Sequence, residues 1–170
     1  MAQSATKPFH TSYLSLRIPA TWGCELDGGA YACQETGVSG PVPIVAIFTA
    51  KYVDPARDNP AVYLSELSKR KELGGGSGKI AISRLLASET LCIDEHQWYW
   101  SKQIGSEIED YYTEYFVTYY QDVSILVSVS YEKSFEAEGR PIVRTISDSL
   151  RVKLPNSNSE KTGDDPQVCH

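Results

Sequence analysis

The alternation of hydrophobic and polar residues along this chain predicts a protein built mainly of strands. From 98 to 131, β-branched and aromatic residues recur at every second position, a pattern typical of a pleated sheet and not of a helix. More than half of the aromatic residues of the chain lie in this stretch. It predicts three successive strands, at 98–104, 111–120 and 123–131.

Shorter patterns complete the predicted order of elements. Asn59 is a suitable N-cap and Pro60 suits the first helical position, so a helix is predicted from there to the glycine run that begins at Gly74. An apolar stripe at helical spacing predicts a second helix at about 136–150. Further strands are predicted at 13–18, 44–52 and within 80–93, with a hairpin at 22–35.

A two-residue turn at Gln121 and Asp122 fixes the register of the last predicted hairpin. One face then pairs Phe116 with Val127 and is apolar, so a helix is expected to cover it. The opposite face pairs Tyr115 with Ser128, which places large rings beside small hydroxyls. That face either accepts the second helix or forms a shallow groove lined by tyrosines.

These elements predict an α+β fold, an α/β/α sandwich with a central, mainly antiparallel sheet and two main helices. At 170 residues the chain is long enough to bury one sizeable core. We expect a flexible leader over 1–11, a single domain over 12–154, and a disordered tail over 155–170, which is rich in Asn, Ser, Lys and Asp.

The charge of the chain narrows the classes of partner. A net charge of −6 and a pI near 5.1 argue against nucleic-acid binding, which needs a positive surface, and against an anionic membrane. No apolar run approaches the roughly 20 residues that a membrane helix needs. Residues 1–5 lack the features of a signal peptide, but Ala2-Gln3-Ser4-Ala5 looks like a chain from which one has been removed.

Four cysteines bear on the cellular compartment. Cys24 and Cys33 flank the predicted turn of the hairpin at 22–35 and are expected to face each other in a disulfide. The alternative is a pair of reduced, buried thiols. Cys92 lies in an apolar strand and is expected to be inert core, whereas Cys169 is expected to be exposed. A disulfide predicts a periplasmic or secreted protein, and reduced cysteines predict a cytoplasmic one.

Candidate catalytic groups are sparse in this sequence. The run from Gly74 to Lys79 departs from the phosphate-loop pattern, because Leu73 stands at the first glycine position and Ile80 follows the lysine. The hypothesis of a small hydrolase requires the side chains of Cys92 and His96 to lie within hydrogen-bond distance of each other. The three histidines show no metal-ligand spacing, so no metal, cofactor or catalytic set is predicted.

Two short motifs carry a resemblance to a known superfamily. Ile18-Pro19-Ala20-Thr21-Trp22 follows the first alternating strand, and Ile142, Ile146, Ser149 and Leu150 close the second predicted helix. With the order of elements over roughly 9–153, these motifs resemble the PsbP-like superfamily. That superfamily has an α/β/α sandwich fold and includes a photosystem extrinsic subunit, a Ran-binding nuclear import factor, and bacterial envelope proteins and secretion chaperones. The resemblance implies a non-enzymatic binding or assembly role, but it carries over no functional residue.

The sequence therefore predicts a protein-binding or assembly module of the bacterial envelope or secreted fraction, a monomer or weak dimer whose partner is another protein. The alternative is a carrier of a small ligand in a groove lined by Trp100, Tyr115 and Tyr119. A third possibility is the hydrolase that would use Cys92 and His96.

Overall fold

The computed structural model describes residues 5–67, 69, 72–74, 80–153 and 169, with the side chains of 72–74, 80 and 81 left aside. Within these residues the fold is α+β, with nearly all of the predicted strands at their predicted places. The strands are β1 (Thr6–His10), β2 (Leu14–Pro19), β3 (Trp22–Asp27), β4 (Ala30–Glu35), β5 (Ile44–Tyr52), β6 (Glu72–Gly74), β7 (Ile80–Ile82), β8 (Arg84–Ile93), β9 (His96–Ile104), β10 (Tyr111–Tyr120), β11 (Val123–Glu132) and β12 (Arg151–Val152). The helices are α1 (Pro60–Leu67) and α2 (Glu136–Ser149).

A seven-stranded central sheet organises the molecule, in the order β3-β4-β5-β11-β10-β9-β8. Every pairing in it is antiparallel. The predicted register of the last hairpin is confirmed: Tyr120 pairs with Val123, Phe116 with Val127, and Tyr115 with Ser128. Because side chains alternate between faces, this register decides which residues of the sheet enter the core.

The main core lies on the face of the central sheet that carries Phe116 and Val127. This face packs against α2 and against a small sheet with the order β1-β2-β12. Leu14, Leu16 and Ile18 of β2 are buried at every second position, as a strand with one covered face requires. A helix was expected to cover this face alone, so the small sheet is an addition to the predicted sandwich.

The opposite face of the central sheet faces α1. Asn59 caps this helix as predicted, because its side-chain oxygen accepts the Val62 N–H at 3.1 Å. The helix ends at Leu67, well before Gly74, and Glu72–Gly74 pair as β6 with β7. The helix predicted up to Gly74 was therefore too long.

The expected leader is also corrected. Residues Thr6–His10 form β1 and pair with β2, where Pro8 occupies an edge strand that can accept a residue without an N–H. Few apolar residues mark this segment, because β1 lies at the edge of the small sheet with much of its length exposed. The tail predicted over 155–170 lies outside the described residues, apart from Cys169.

Gly139 of α2 provides a test of the packing between this helix and β11. A Cβ at this position would lie 2.5 Å from Cγ of Tyr131, whose ring is fully buried. Helix propensity favours Gly139→Ala by about 1 kcal/mol, but the clash should make the variant less stable by about 2 kcal/mol. Glu138→Ala is the matched, exposed control and should change the free energy of unfolding little. A Gly139→Ala variant more stable than the wild type would contradict the packing.

Candidate binding surfaces

The three residues of the predicted groove do not lie together. Tyr115 and Tyr119 share the face of the central sheet that lies under α1. Trp100 pairs with Phe116 and therefore points to the opposite face. The groove composed of Trp100, Tyr115 and Tyr119 is thus wrong as a single site, although its two tyrosines share one surface.

Trp100 takes part instead in a buried polar cluster. Its Nε1 donates to Oε2 of Glu114 at 3.0 Å, and the hydroxyl of Tyr131 donates to Oε1 of the same carboxylate at 2.7 Å. Burial and the hydrogen bond to Glu114 raise the pKa of Tyr131. Lys102 lies beside the cluster. Its Nζ is 3.0 Å from Oε1 of Glu136 and 4.4 Å from the centroid of the Tyr112 ring. These contacts give the buried carboxylate of Glu114 its hydrogen-bond partners and join the neighbouring strands β9, β10 and β11.

The tyrosines under α1 are only half buried. The Tyr115 hydroxyl lies 2.8 Å from the Ser106 hydroxyl and donates to a carboxylate oxygen of Glu107 at 2.5 Å. Burial, and then the hydrogen bond to Glu107, raise the pKa of Tyr115. Burial raises the pKa of Tyr119 to about 12, with smaller contributions from Tyr63 and Asp58. This surface is therefore a layer of neutral phenols.

The raised pKa of Tyr119 predicts a loss of stability in alkali. An unfolded tyrosine loses its proton near pH 10, whereas the folded Tyr119 keeps it up to about pH 12. The contribution of the protonated Tyr119 to the free energy of unfolding is complete below pH 10. It is lost as the pH rises from about 10 to about 12. Denaturation at increasing pH should show a steeper loss of stability for the wild type than for Tyr119→Phe. Equal slopes would show that Tyr119 titrates normally.

An open cleft lies between the connection from β1 to β2 and the face of the central sheet that carries Tyr31 and Phe48. Its volume is about 190 Å³. Its floor is the buried ring of Phe48. The centroid of the Phe9 ring lies 5.3 Å from the ring centroids of both Phe48 and Tyr31. The lining residues are Thr11, Ser12, Tyr13, Leu14, Gly29, Tyr31, Phe48, Thr49 and Ala50. The cleft thus combines an aromatic floor with polar walls.

Exposed apolar side chains extend the cleft into a wider surface. The Tyr13 and Tyr52 hydroxyls lie 3.1 Å apart, and Tyr52 is 73% exposed. Leu26, 63% exposed, pairs with Tyr31 and shares its face of the sheet. We call the cleft with Tyr52 and Leu26 the cleft surface. Sequence reasoning missed it, because its residues come from four separate strands and their connections.

The cysteines form two disulfides. The predicted Cys24–Cys33 bond joins directly paired residues of β3 and β4. Cys92 is bonded to Cys169, across 77 positions of sequence. Cys92 is exposed and not inert core, because Leu91 and Ile93 point to the other face of the edge strand β8. A bonded Cys92 has no thiol to attack a substrate, so the hydrolase using Cys92 and His96 is ruled out in this state.

The described part of the chain has neither a cluster of metal ligands nor a helix suited to a bilayer. No group of three or more His, Cys, Asp or Glu side chains there could hold a metal ion. His96 instead lies with Nδ1 3.1 Å from the backbone oxygen of Asp94. No described helix has the length and apolar composition to cross a bilayer.

Comparisons with known proteins establish the class of fold. No family model and no curated protein matches the sequence. Among solved structures, cyanobacterial PsbP (CyanoP) from Synechocystis sp. PCC 6803 is 10% identical, with 89% of this chain and 95% of that chain covered and a TM-score of 0.59. The Ran-binding protein Mog1p of Saccharomyces cerevisiae is 7% identical, with coverages of 88% and 96% and a TM-score of 0.55.

A protein from Bacteroides thetaiotaomicron is 14% identical, with 87% of this chain covered and a TM-score of 0.50; the chain spans 48% of that protein's length. These likenesses define an α+β sandwich of the PsbP-like class. The chain has the PsbP-like fold, and the resemblance seen in its sequence is confirmed at the level of the fold.

Proposed function

We propose that this chain is a non-enzymatic protein-binding or assembly module that works outside the cytoplasm, in the envelope or the secreted fraction. The cleft surface is its docking site, and the observation that carries the proposal is the exposure of Tyr52 and Leu26 beside an open aromatic cleft. Large exposed apolar side chains grouped around a cavity are typical of protein-interaction sites.

The chemistry of the cleft surface supports a protein partner. Tyrosines dominate its rim, and interfaces are enriched in tyrosine because the ring buries a large area while the hydroxyl keeps a polar partner. The cleft has room for one apolar side chain, which a partner would insert as an anchor. A protein with the same fold, Mog1p, is described as Ran-binding, so this fold is compatible with a binding role.

The two disulfides support the location. Such bonds form and persist in oxidising compartments and are rare in the cytosol. We therefore place the protein in the periplasm or outside the cell. Alkylation of the protein taken directly from its host should modify none of the four cysteines before reduction. Four modified cysteines would instead indicate a cytoplasmic protein.

A variant that fills the cleft tests the docking site. Ala50 lines the cleft on β5, so the larger side chain of Ala50→Phe should occupy it. Ser88→Phe adds the same ring to an exposed position of β8 and is the matched control. We expect the amount of a specific partner recovered from the host to fall at least about tenfold with Ala50→Phe, which corresponds to the loss of one anchor residue. Equal recovery with both variants would exclude the cleft as the docking site.

A further inference from the structure

The two edges of the central sheet differ in how they are covered. At one edge, β3 has six residues, and Lys7 of the small sheet donates to the backbone oxygen of Trp22. The other edge is β8, which has ten residues and pairs with no described strand on its outer side. Every residue from Ala87 to Thr90 is exposed. An edge strand directs backbone N–H and C=O groups away from the sheet, where another chain can pair with them.

The open stretch of β8 has defined ends. The pairing of β8 with β9 is irregular between Leu85 and Ala87, which ends the regular strand on one side. On the other side, Cys92 is bonded to Cys169. The stretch between them, from Ala87 to Leu91, contains neither proline nor lysine, the residues that commonly protect an exposed edge. This stretch is therefore available to an added strand.

A pocket of about 370 Å³ lies at one end of this stretch, between β8 and the C-terminal end of α2. Its apolar side is formed by Leu91 and Ile93, and its polar side by Asp94, Ser147, Asp148 and Arg151. Nε of Arg151 lies 3.3 Å from Oδ1 of Asp94, so these two charges balance each other. Asp148 has no ion pair among the described residues. The pocket therefore suits an apolar side chain and disfavours an acidic one.

The side chains of β8 determine which residues an added strand would carry. Leu91 pairs with the buried Trp98, so Leu91 and Glu89 lie on the face of the sheet that carries α2. Ser88 and Thr90 lie on the opposite face. Neighbours across two strands stabilise a sheet when they have opposite charges or when both are apolar. A basic residue opposite Glu89 and an apolar residue opposite Leu91 would thus match β8.

We propose that the edge of β8 from Ala87 to Leu91 binds an extended segment of another protein, which pairs antiparallel with β8 as an added strand of the central sheet. The segment carries a basic residue opposite Glu89 and a long apolar residue opposite Leu91, whose side chain enters the pocket beside α2. Backbone hydrogen bonds give the affinity, and the two side chains give the selectivity. This site goes beyond docking at the cleft surface, because three strands separate β8 from β5.

A charge swap tests the pairing of Glu89. The probe is the peptide acetyl-Thr-Phe-Thr-Lys-Thr-amide, added to the ¹⁵N-labelled protein, and we expect saturable NMR shifts at the backbone amides of Ala87–Leu91. Glu89→Lys should weaken this binding at least about fivefold, because an attractive cross-strand pair becomes repulsive. The same variant should bind more tightly a peptide with Glu in place of Lys. Glu25→Lys, an equal change at an exposed position of β3, is the matched control and should bind as the wild type does.

A second pair of variants tests the pocket. Replacing Phe of the peptide by Ala should weaken binding to the wild type at least about tenfold, but it should matter little for Ser147→Phe, whose ring fills the pocket. Ala50→Phe should bind both peptides as the wild type does, which separates this edge from the cleft surface. The proposal is overturned if the amides of Ala87–Leu91 do not shift, or if the wild type and Glu89→Lys prefer the same peptide. It is also overturned if a second copy of the chain already protects these amides without peptide.

Discussion

Replacing Cys92 and Cys169 together by alanine is expected to lower the free energy of unfolding by about 4 kcal/mol. The bond closes a loop with a sequence separation of 77, and the entropy that a disulfide removes from the unfolded chain grows with the length of that loop. For a domain of this size the loss corresponds to a fall in melting temperature of roughly 10 °C. Chemical denaturation of the oxidised wild type and the double variant measures the effect.

Two features of the structure around the Cys92–Cys169 disulfide allow the change in stability to be assigned to the loss of the bond. Cys92 is exposed, so its replacement leaves no cavity in the core, and Thr90→Ala on the same strand is a control for loss of an exposed side chain. The Arg151–Asp94 ion pair, at 3.3 Å, remains in the variant, and the Cys169 N–H can still reach the Glu95 oxygen. A loss below about 1 kcal/mol would show that this disulfide does not constrain the unfolded chain as loop closure requires.

Glu114→Ala is expected to cost about 3 kcal/mol, because it leaves the buried Tyr131 hydroxyl and the half-buried Trp100 indole N–H without an acceptor. The Trp100 indole and the Tyr131 hydroxyl both donate to this carboxylate, and Tyr131 is fully buried. The change also removes packing between β10 and the side chains around Lys102. Denaturation followed by tryptophan fluorescence, to which Trp22, Trp98 and Trp100 all contribute, measures the stability of the variant.

Two controls separate the hydrogen bonds from the charge. Glu114→Gln keeps an acceptor at the same position and should cost about 1 kcal/mol. Glu89→Ala removes an exposed carboxylate that is paired across the sheet with Trp100, and it should have little effect. If Glu114→Ala were as stable as the wild type, the cluster would not contribute to holding the sheet.

The parts of the fold that depend on contacts between residues close in sequence could be predicted from the sequence. The two-residue turn at Gln121 and Asp122 leaves one register for β10 and β11, so the faces of Phe116 and Tyr115 follow directly. The Cys24–Cys33 pair follows from the same kind of argument, because the hairpin places the two residues opposite each other. In both cases the residues that interact are close in sequence.

The face of Trp100 could not be predicted in this way. Its strand, β9, is joined to β10 by residues 105–110. A connection of this length allows a register in which the Trp100 side chain lies on either face of the sheet. The observed pairing of Trp100 with Phe116 places the indole beside Glu114 and away from Tyr115 and Tyr119. The predicted groove was wrong for this reason.

Long-range contacts account for the other differences. Cys92 lies between Leu91 and Ile93, which suggested a buried strand, but on an edge strand only one face needs to be covered. Its partner Cys169 is too distant in sequence for any local pattern to pair them. The cleft surface likewise depends on strands that meet only in the folded protein, so neither Tyr52 nor Leu26 could be singled out beforehand.

Site-specific photocrosslinking from position 52 tests the central claim, docking at the cleft surface, most directly. A benzophenone amino acid would replace Tyr52, or Ser88 as the control, in the protein expressed in its own host, with and without Ala50→Phe. The account predicts one discrete crosslinked protein from position 52, absent from position 88 and lost when the cleft is filled. The same products from both positions, or a product from position 52 that persists with Ala50→Phe, would contradict it.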